Sequence, residues 1–147
     1  MTIPPALRVK QLLIGIQQDG ERYAELQQLL LSQHALLASH DVDGLTAHNR
    51  HQTRVLADIQ RQAQERCQHL LALGLKPDEK GMATLIAKLP TPLQRNVSGQ
   101  WQRLETQLHQ CRRQNELNGR LLAGQIETLN TLLGQKSAYG QQECFPD

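Results

Sequence analysis

The feature that most constrains this chain is one uninterrupted helical pattern between Pro92 and Gly134. Side chains that can pack together recur there at steps of three or four residues, which is the period of an α-helix. At about 1.5 Å per residue, a helix from Thr91 to Leu133 is roughly 60 Å long. One small globular core cannot bury such a helix along its length, so the pattern predicts an elongated bundle. The repeating positions form one seam, which comprises Val97, Trp101, Leu104, Leu108, Cys111, Asn115, Asn118, Leu122, Gln125, Leu129 and Leu132.

Two more long helices are predicted before this one. The first runs from residue 6 to about 40, and the second from about 45 to 73 after a turn in which Asp43 serves as the N-cap. The polar stretch 48–54 is expected to project beyond the core or to lie on its surface. The core face of the second helix is predicted to comprise Val55, Leu56, Ile59, Ala63 and Leu70.

A short amphipathic helix follows the second long helix, and Thr91 is predicted to cap the helix after it. The apolar face of the short helix comprises Met82, Leu85, Ile86 and Leu89. The fold class is therefore all-α: an elongated antiparallel bundle of three long helices plus one short helix, with a flexible C-terminal tail. Residues 1–134 form the predicted bundle domain, and residues 135–147 form the tail, which lacks a helical period.

Composition agrees with a helical protein of a reducing compartment. Aromatic residues make up only 3% of the chain, so little argues for a sheet. Cys67, Cys111 and Cys144 are widely spaced without a Cys-x-x-Cys pair, so neither a disulfide framework nor a zinc site is expected. The N-terminus lacks the pattern of a signal peptide. No stretch approaches the ~20 apolar residues of a membrane helix, and the predicted location is the cytoplasm, without membrane insertion.

The sequence predicts neither an enzyme nor a metal protein. It contains no nucleophile elbow, P-loop or dinucleotide turn, so no catalytic residue and no cofactor is expected. His48 and His51 lie three residues apart and are expected to be solvated, because helical di-metal sites use a Glu-x-x-His motif that is missing here. The net charge is only +2, with basic and acidic residues interleaved, so no nucleic-acid partner is predicted.

The seam changes character halfway along the last helix. It is apolar up to Cys111, whereas Asn115, Asn118 and Gln125 are amides, which fix register or partner choice at some expense of stability. Two explanations remain open for this region: burial by the protein's own helices or by a homodimer, or a groove for a partner's amphipathic helix. Apolar side chains also lie off the seam in this region, at Leu117, Leu121, Ile126 and Leu133.

The same region carries a resemblance to a known family. The run CRRQNELNGRLLAGQI from Cys111 to Ile126, followed by Tyr139-Gly140, resembles the FlgN-type flagellar export chaperones. The matching features are an Asn-x-x-Asn-Gly step, two leucines, a Gln three residues later, and the Tyr-Gly of the tail. The likeness is sharp over residues 101–140 and is a pattern of helices before that.

The resemblance implies a binding function. Such a chaperone holds the C-terminal helical segments of the flagellar hook-associated proteins, which form the hook–filament junction, and delivers them to the flagellar type III export gate. Tyr139 and Gly140 would dock on the export gate, and a homodimer is possible in the absence of client. The alternative is a self-associating coiled-coil adaptor with no export role. The residues implied in the client groove are Asn115, Asn118, Gly119, Leu121, Leu122, Gln125, Ile126 and Leu129.

Overall fold

Residues 3–134 are described by the computed structural model, and they form four helices. These are α1 (Pro5–Ala38), α2 (Val42–Ala72), α3 (Glu79–Ala87) and α4 (Thr91–Leu132). The predicted all-α bundle of three long helices and one short helix is confirmed. The tail lies outside the described residues, so the division at residue 134 stays a prediction.

Two predicted helix caps are wrong by a small shift. The Oδ1 atom of Asp41 accepts a hydrogen bond from the backbone N–H of Gly44 at 2.9 Å, so Asp41 and not Asp43 is the N-cap of α2. Both aspartates suit a cap chemically, and the sequence does not choose between them. In α4, Pro90 occupies the N-cap position and no side chain caps the helix, so Thr91 is already its first helical residue.

Hydrogen bonds between α1 and α2 show that these helices are antiparallel. Asp19 accepts a hydrogen bond from Arg66 at 2.7 Å. Further along α1, the amide of Gln33 donates to Asn49 at 3.0 Å. Residue numbers therefore fall along α2 as they rise along α1.

In contrast, α4 runs parallel to α1. Three amide side chains on α4 donate to backbone carbonyl oxygens of α1, at a sequence offset of 87 or 88 residues each time. Since α1 packs along both α2 and α4, it is the central helix of the bundle. The three donor–acceptor pairs are Gln107–Gly20, Asn118–Leu30 and Gln125–Leu37.

Two apolar clusters hold the bundle together. Burying a side chain of this kind stabilises the fold by about 1.5–3 kcal/mol. Within residues 3–134 no third cluster follows, and packing beyond Cys111 becomes polar. The first cluster lies where α1 and α4 begin and comprises Leu12, Ile16, Leu70, Met82, Leu85, Ile86, Val97 and Leu104. The second lies further along and comprises Leu26, Leu30, Val55 and Cys111.

The polar stretch 48–54 of α2 illustrates this change. Its Gln52 is only 6% exposed, and Asn49 accepts the hydrogen bond from Gln33 of α1. The expectation of a solvated stretch therefore holds for its outer side only, because amides can be buried when they are hydrogen-bonded. Leu56, which was predicted in the core face, is 45% exposed, so that assignment is wrong.

A charged contact joins α1, α2 and α4. The Asp19 side chain is almost fully buried between Arg66, at 2.7 Å, and Arg22, whose Nη1 lies 3.9 Å from the other carboxylate oxygen. The guanidinium of Arg66 lies 5.2 Å from the ring centroid of half-buried Trp101, within cation–π range. Burial raises the pKa of Asp19 above its ordinary value, against the opposing attraction of the two arginines.

Candidate functional site

The end of α4 extends past the end of α1. Gln125 lies level with Leu37 of α1. The next residue of α1, Ala38, is its last, and it lies level with Ile126. From there α4 continues for six more residues, from 126 to Leu132. At about 1.5 Å per residue, this overhang is roughly 9 Å long.

Apolar side chains on and near the overhang are uncovered. The exposed fractions are 38% for Ile126, 55% for Leu129 and 78% for Leu132. Leu121 and Leu122, one turn earlier, are half-buried. Contiguous exposed apolar surface of this kind marks interaction sites on soluble proteins. The last helix thus has more apolar surface than the described residues cover.

An open groove of about 930 Å³ lies between this part of α4 and the end of α1. We call it the C-terminal groove. It lies where α1 ends and α4 continues. Its lining comprises Ala38, His40, Arg120, Leu121, Gly124, Gln125, Ile126, Thr128, Leu129 and Leu132.

A buried amide fixes α4 to α1 just before the groove begins. Asn118 is 0% exposed. Its Nδ2 donates to the carbonyl oxygen of Leu30 at 2.8 Å and to Oε1 of Gln33 at 3.0 Å. Its Oδ1 accepts from Gln114 at 3.0 Å and lies 2.9 Å from Nδ1 of His34. Since an amide oxygen only accepts, Nδ1 of His34 carries the proton in this pair.

Gln125 marks the boundary between the packed and the open part of α4. Its Nε2 donates to the carbonyl oxygen of Leu37 at 2.7 Å, while the rest of its side chain lines the C-terminal groove. The seam positions that follow it, Leu129 and Leu132, have no comparable partner among residues 3–134. The seam therefore changes from an internal contact into an external surface at this residue.

The structure brings together only half of the residues implied for the groove. Those that line it are Leu121, Gln125, Ile126 and Leu129. The other four lie outside the lining, and Asn118 is buried between α4 and α1. Tyr139 and Gly140 lie outside the described residues. The implied groove residues that do not line it are Asn115, Asn118, Gly119 and Leu122.

Sequence reasoning also missed part of the lining. Gly124, Thr128 and Leu132 follow one another at steps of four residues, and this spacing was available as a signal. Ala38 and His40 carried no signal, because their place in the groove depends on the offset between α1 and α4. Arg120 adds a basic edge to a lining that is otherwise mostly apolar.

Within residues 3–134 we looked for a metal site and for a membrane-spanning helix. His48 bonds to Gln52 and His51 to Glu25, so the two histidines point to separate partners. Across the described residues, no three His, Cys, Asp or Glu side chains come close enough to share a metal ion. None of the helices described is both long and apolar enough to span a bilayer.

The fold and the groove define a class of protein, namely an elongated helical bundle with an exposed apolar helix end. Within that class, the chain matches the protein-family model described as FlgN protein over residues 1–138, and it belongs to that family. This is the flagellar export chaperone family, and it is not a family of enzymes. No match was found among curated proteins or among solved structures.

Proposed function

We propose that this chain binds the C-terminal helical segment of a flagellar hook-associated protein in the C-terminal groove and holds it in the cytoplasm for export. The observation that carries the proposal is the overhang of α4, where Leu129 and Leu132 are exposed beside an open groove. Membership of the export chaperone family supports an export client as the ligand of this groove.

Binding would bury the apolar face of the client helix against this surface. A client segment that becomes ordered on binding loses conformational entropy, which lowers the affinity per unit of buried area and permits later release. We expect a dissociation constant between micromolar and nanomolar, roughly −8 to −12 kcal/mol.

Delivery to the export gate is the second part of the proposal, and it rests on the tail. The family match ends at residue 138, one residue before Tyr139. Because the family match does not reach Tyr139 and Gly140, the support for their docking role is the sequence resemblance. If Tyr139 docks on the gate, Tyr139→Ala leaves client binding unchanged and lowers export, whereas normal export would remove Tyr139 from the mechanism.

The test is a titration of the full chain with C-terminal segments of the hook-associated proteins of the same organism. Ile126→Asp and Leu129→Asp should each weaken binding by about tenfold or more, because each places a carboxylate in an apolar contact. Leu71→Asp is the matched control, since Leu71 is 59% exposed on α2 and Leu129 is 55% exposed. All three variants should keep the helical content of the wild type.

Two results would contradict the proposal. No binding at tens of micromolar would reject hook-associated clients. Equal weakening by Leu71→Asp and Leu129→Asp would remove the C-terminal groove from the binding site. A tight dimer in sedimentation experiments, combined with no client affinity, would instead support the self-associating adaptor.

A further inference from the structure

A second groove lies at the other end of the bundle, between the first turns of α1 and the first turns of α4. It has a volume of about 370 Å³, and we call it the N-terminal groove. Buried Val97 lines it, together with Ile14 and Leu93, which are 45% and 40% exposed. Leu7, seven residues before Ile14 and 43% exposed, extends the same apolar face of α1.

The two grooves are far apart. Ile14 of the N-terminal groove and Ala38 of the C-terminal groove are separated by 24 residues of one helix, from 14 to 38. That separation is roughly 36 Å along α1. A ligand confined to one groove therefore leaves the other free.

Charge sets the N-terminal groove apart. Residues 3–18 and 80–104 contain six Lys or Arg residues and no Asp or Glu, although the whole chain has a net charge of only +2. The parallel course of α1 and α4 places these segments, and the positive ends of both helix dipoles, at the same end of the bundle. Acidic residues at this end of the bundle lie outside these two segments, with Glu65 on α2 near Arg8, and Asp78 and Glu79 at the start of α3.

Two of the basic side chains border the groove. Lys10 lines it on the α1 side. Arg103 follows the lining residues Asn96 and Gln100 by seven and three positions, which places it on the same face of α4. Neither Lys10 nor Arg103 forms an ion pair with a residue in the described part of the chain. Both side chains are exposed.

We propose that the N-terminal groove binds an acidic amphipathic helix of a second protein, distinct from the client. Its lining extends from Ala6 to Gln17 on α1, which matches about three turns of a docked helix. Apolar side chains of the partner enter between α1 and α4, and its flanking carboxylates meet Lys10 and Arg103. The surface is concave, which suits a helix better than a flat bilayer. The protein thus joins two helical ligands at opposite ends.

The probes for a test are two fluorescent peptides of about 18 residues, since shorter peptides form marginal helices. Both carry leucines at heptad spacing, with glutamates beside the leucines in one and lysines in the other. Fluorescence anisotropy with the full chain should show about tenfold tighter binding of the glutamate peptide at low salt. Lys10→Glu/Arg103→Glu should reverse that preference, and Ile14→Lys should weaken binding of both peptides.

The control variant is Leu129→Asp in the C-terminal groove, which should leave binding of the glutamate peptide unchanged while it weakens client binding. Circular dichroism checks that every variant is folded. Equal affinity for the two peptides, or a preference that survives Lys10→Glu/Arg103→Glu, would overturn the proposal. So would a dimer that Ile14→Lys dissociates, or binding to phosphatidylglycerol vesicles without peptide binding, which would assign the groove to a second copy of the chain or to a lipid surface.

Discussion

The Nε2 atom of Gln125 donates a hydrogen bond to the carbonyl oxygen of Leu37 at 2.7 Å, one residue before α1 ends. This contact is the last side-chain hydrogen bond from α4 to α1 in the described residues. On one side of it, α4 is held by amides against the central helix. On the other side, its leucines are exposed, and the proposed client site begins.

Removal of this contact should loosen the end of α4 without unfolding the bundle. Gln125→Ala removes one hydrogen bond of about 0.5–1.5 kcal/mol, and the Leu37 oxygen keeps the backbone N–H of His40 as a donor. We expect faster amide hydrogen exchange after residue 125. Gln107→Ala, which removes the bond to Gly20 in the middle of α4, is the control and should leave exchange at that end unchanged. Equal effects would show that Gln125 is not the boundary.

Asn118 should contribute more to stability than its neighbours on the seam. Asn118→Ala removes the donor to the buried Oε1 of Gln33 and leaves a gap at a fully buried position, so we expect the free energy of unfolding to fall by about 1–3 kcal/mol. Urea denaturation followed by circular dichroism measures this change. Asn115→Ala, at a half-buried seam position, should change stability by less than about 0.5 kcal/mol. A neutral Asn118→Ala would mean that water replaces the lost contacts.

The buried Asp19 should make stability depend on pH. Because burial raises the pKa of Asp19 in the folded state, the folded protein holds this proton more tightly than the unfolded chain. Its stabilising effect is present below the ordinary value of 3.8 and is lost as the pH rises through the raised pKa. Relative to Asp19→Asn, the wild type should therefore lose thermal stability as the pH rises from acidic to neutral.

The comparison between wild type and Asp19→Asn cancels the titration of the histidines, which both proteins share. Melting temperatures measured across that pH range give the difference directly. If the wild type instead gains stability relative to Asp19→Asn as the pH rises, attraction to Arg66 and Arg22 outweighs burial, and the pKa of Asp19 is lowered.

The thiols of Cys111 and Cys67 should differ in reactivity. Burial raises the pKa of Cys111 to about 11, so almost none of this thiol is ionised at neutral pH. Cys67 is only half-buried. In a Cys144→Ser background at neutral pH, a thiol reagent should modify Cys67 first and leave Cys111 unmodified until the protein unfolds. If native Cys111 is modified as fast as Cys67, α4 frequently separates from the bundle near Cys111.

Two glycines should respond in opposite ways to alanine. A Cβ atom at Gly81 would collide with the backbone carbonyl of Lys76, so Gly81→Ala should destabilise the junction between α2 and α3. Gly99, inside α4, has open space around its Cβ position, and Gly99→Ala should stabilise the protein by up to about 1 kcal/mol. Thermal melts of both variants check this, and a loss of stability in Gly99→Ala would contradict the open surroundings.

Much of the fold could be predicted because its signals are local. Spacings of three and four residues identified the long helices, and Met82, Leu85 and Ile86 are buried as the short helix required. The helix caps were less certain, since Asp41 and Asp43 have the same chemistry two residues apart. The amides of α4 were recognised as a change in the seam. Their hydrogen-bond partners could not be predicted, because these partners lie on another helix.

The candidate site was only half predictable for the same reason. Ile126 and Leu129 stood out as apolar residues in a segment with apolar side chains on more than one side, and both are exposed in the groove. Asn118 belonged to the same motif, yet it lies inside the bundle. Membership of a motif does not distinguish a groove residue from a residue buried in the bundle, since burial depends on which part of α1 lies opposite each position.

The sequence by itself determined four helices, their order and an α4 too long for one small globular core to bury. Only the tertiary structure decided the parallel offset of 88 residues between Asn118 and Leu30. With that offset, Asn118 is buried against α1, and Gln125 makes the last side-chain hydrogen bond from α4 to α1 in the described residues. Leu129 lies beyond this contact and is exposed. The same offset places the basic segments of α1 and α4 at one end of the bundle. Periodicity is a property of neighbouring residues, whereas the offset is set by packing and hydrogen bonds between residues far apart in the chain.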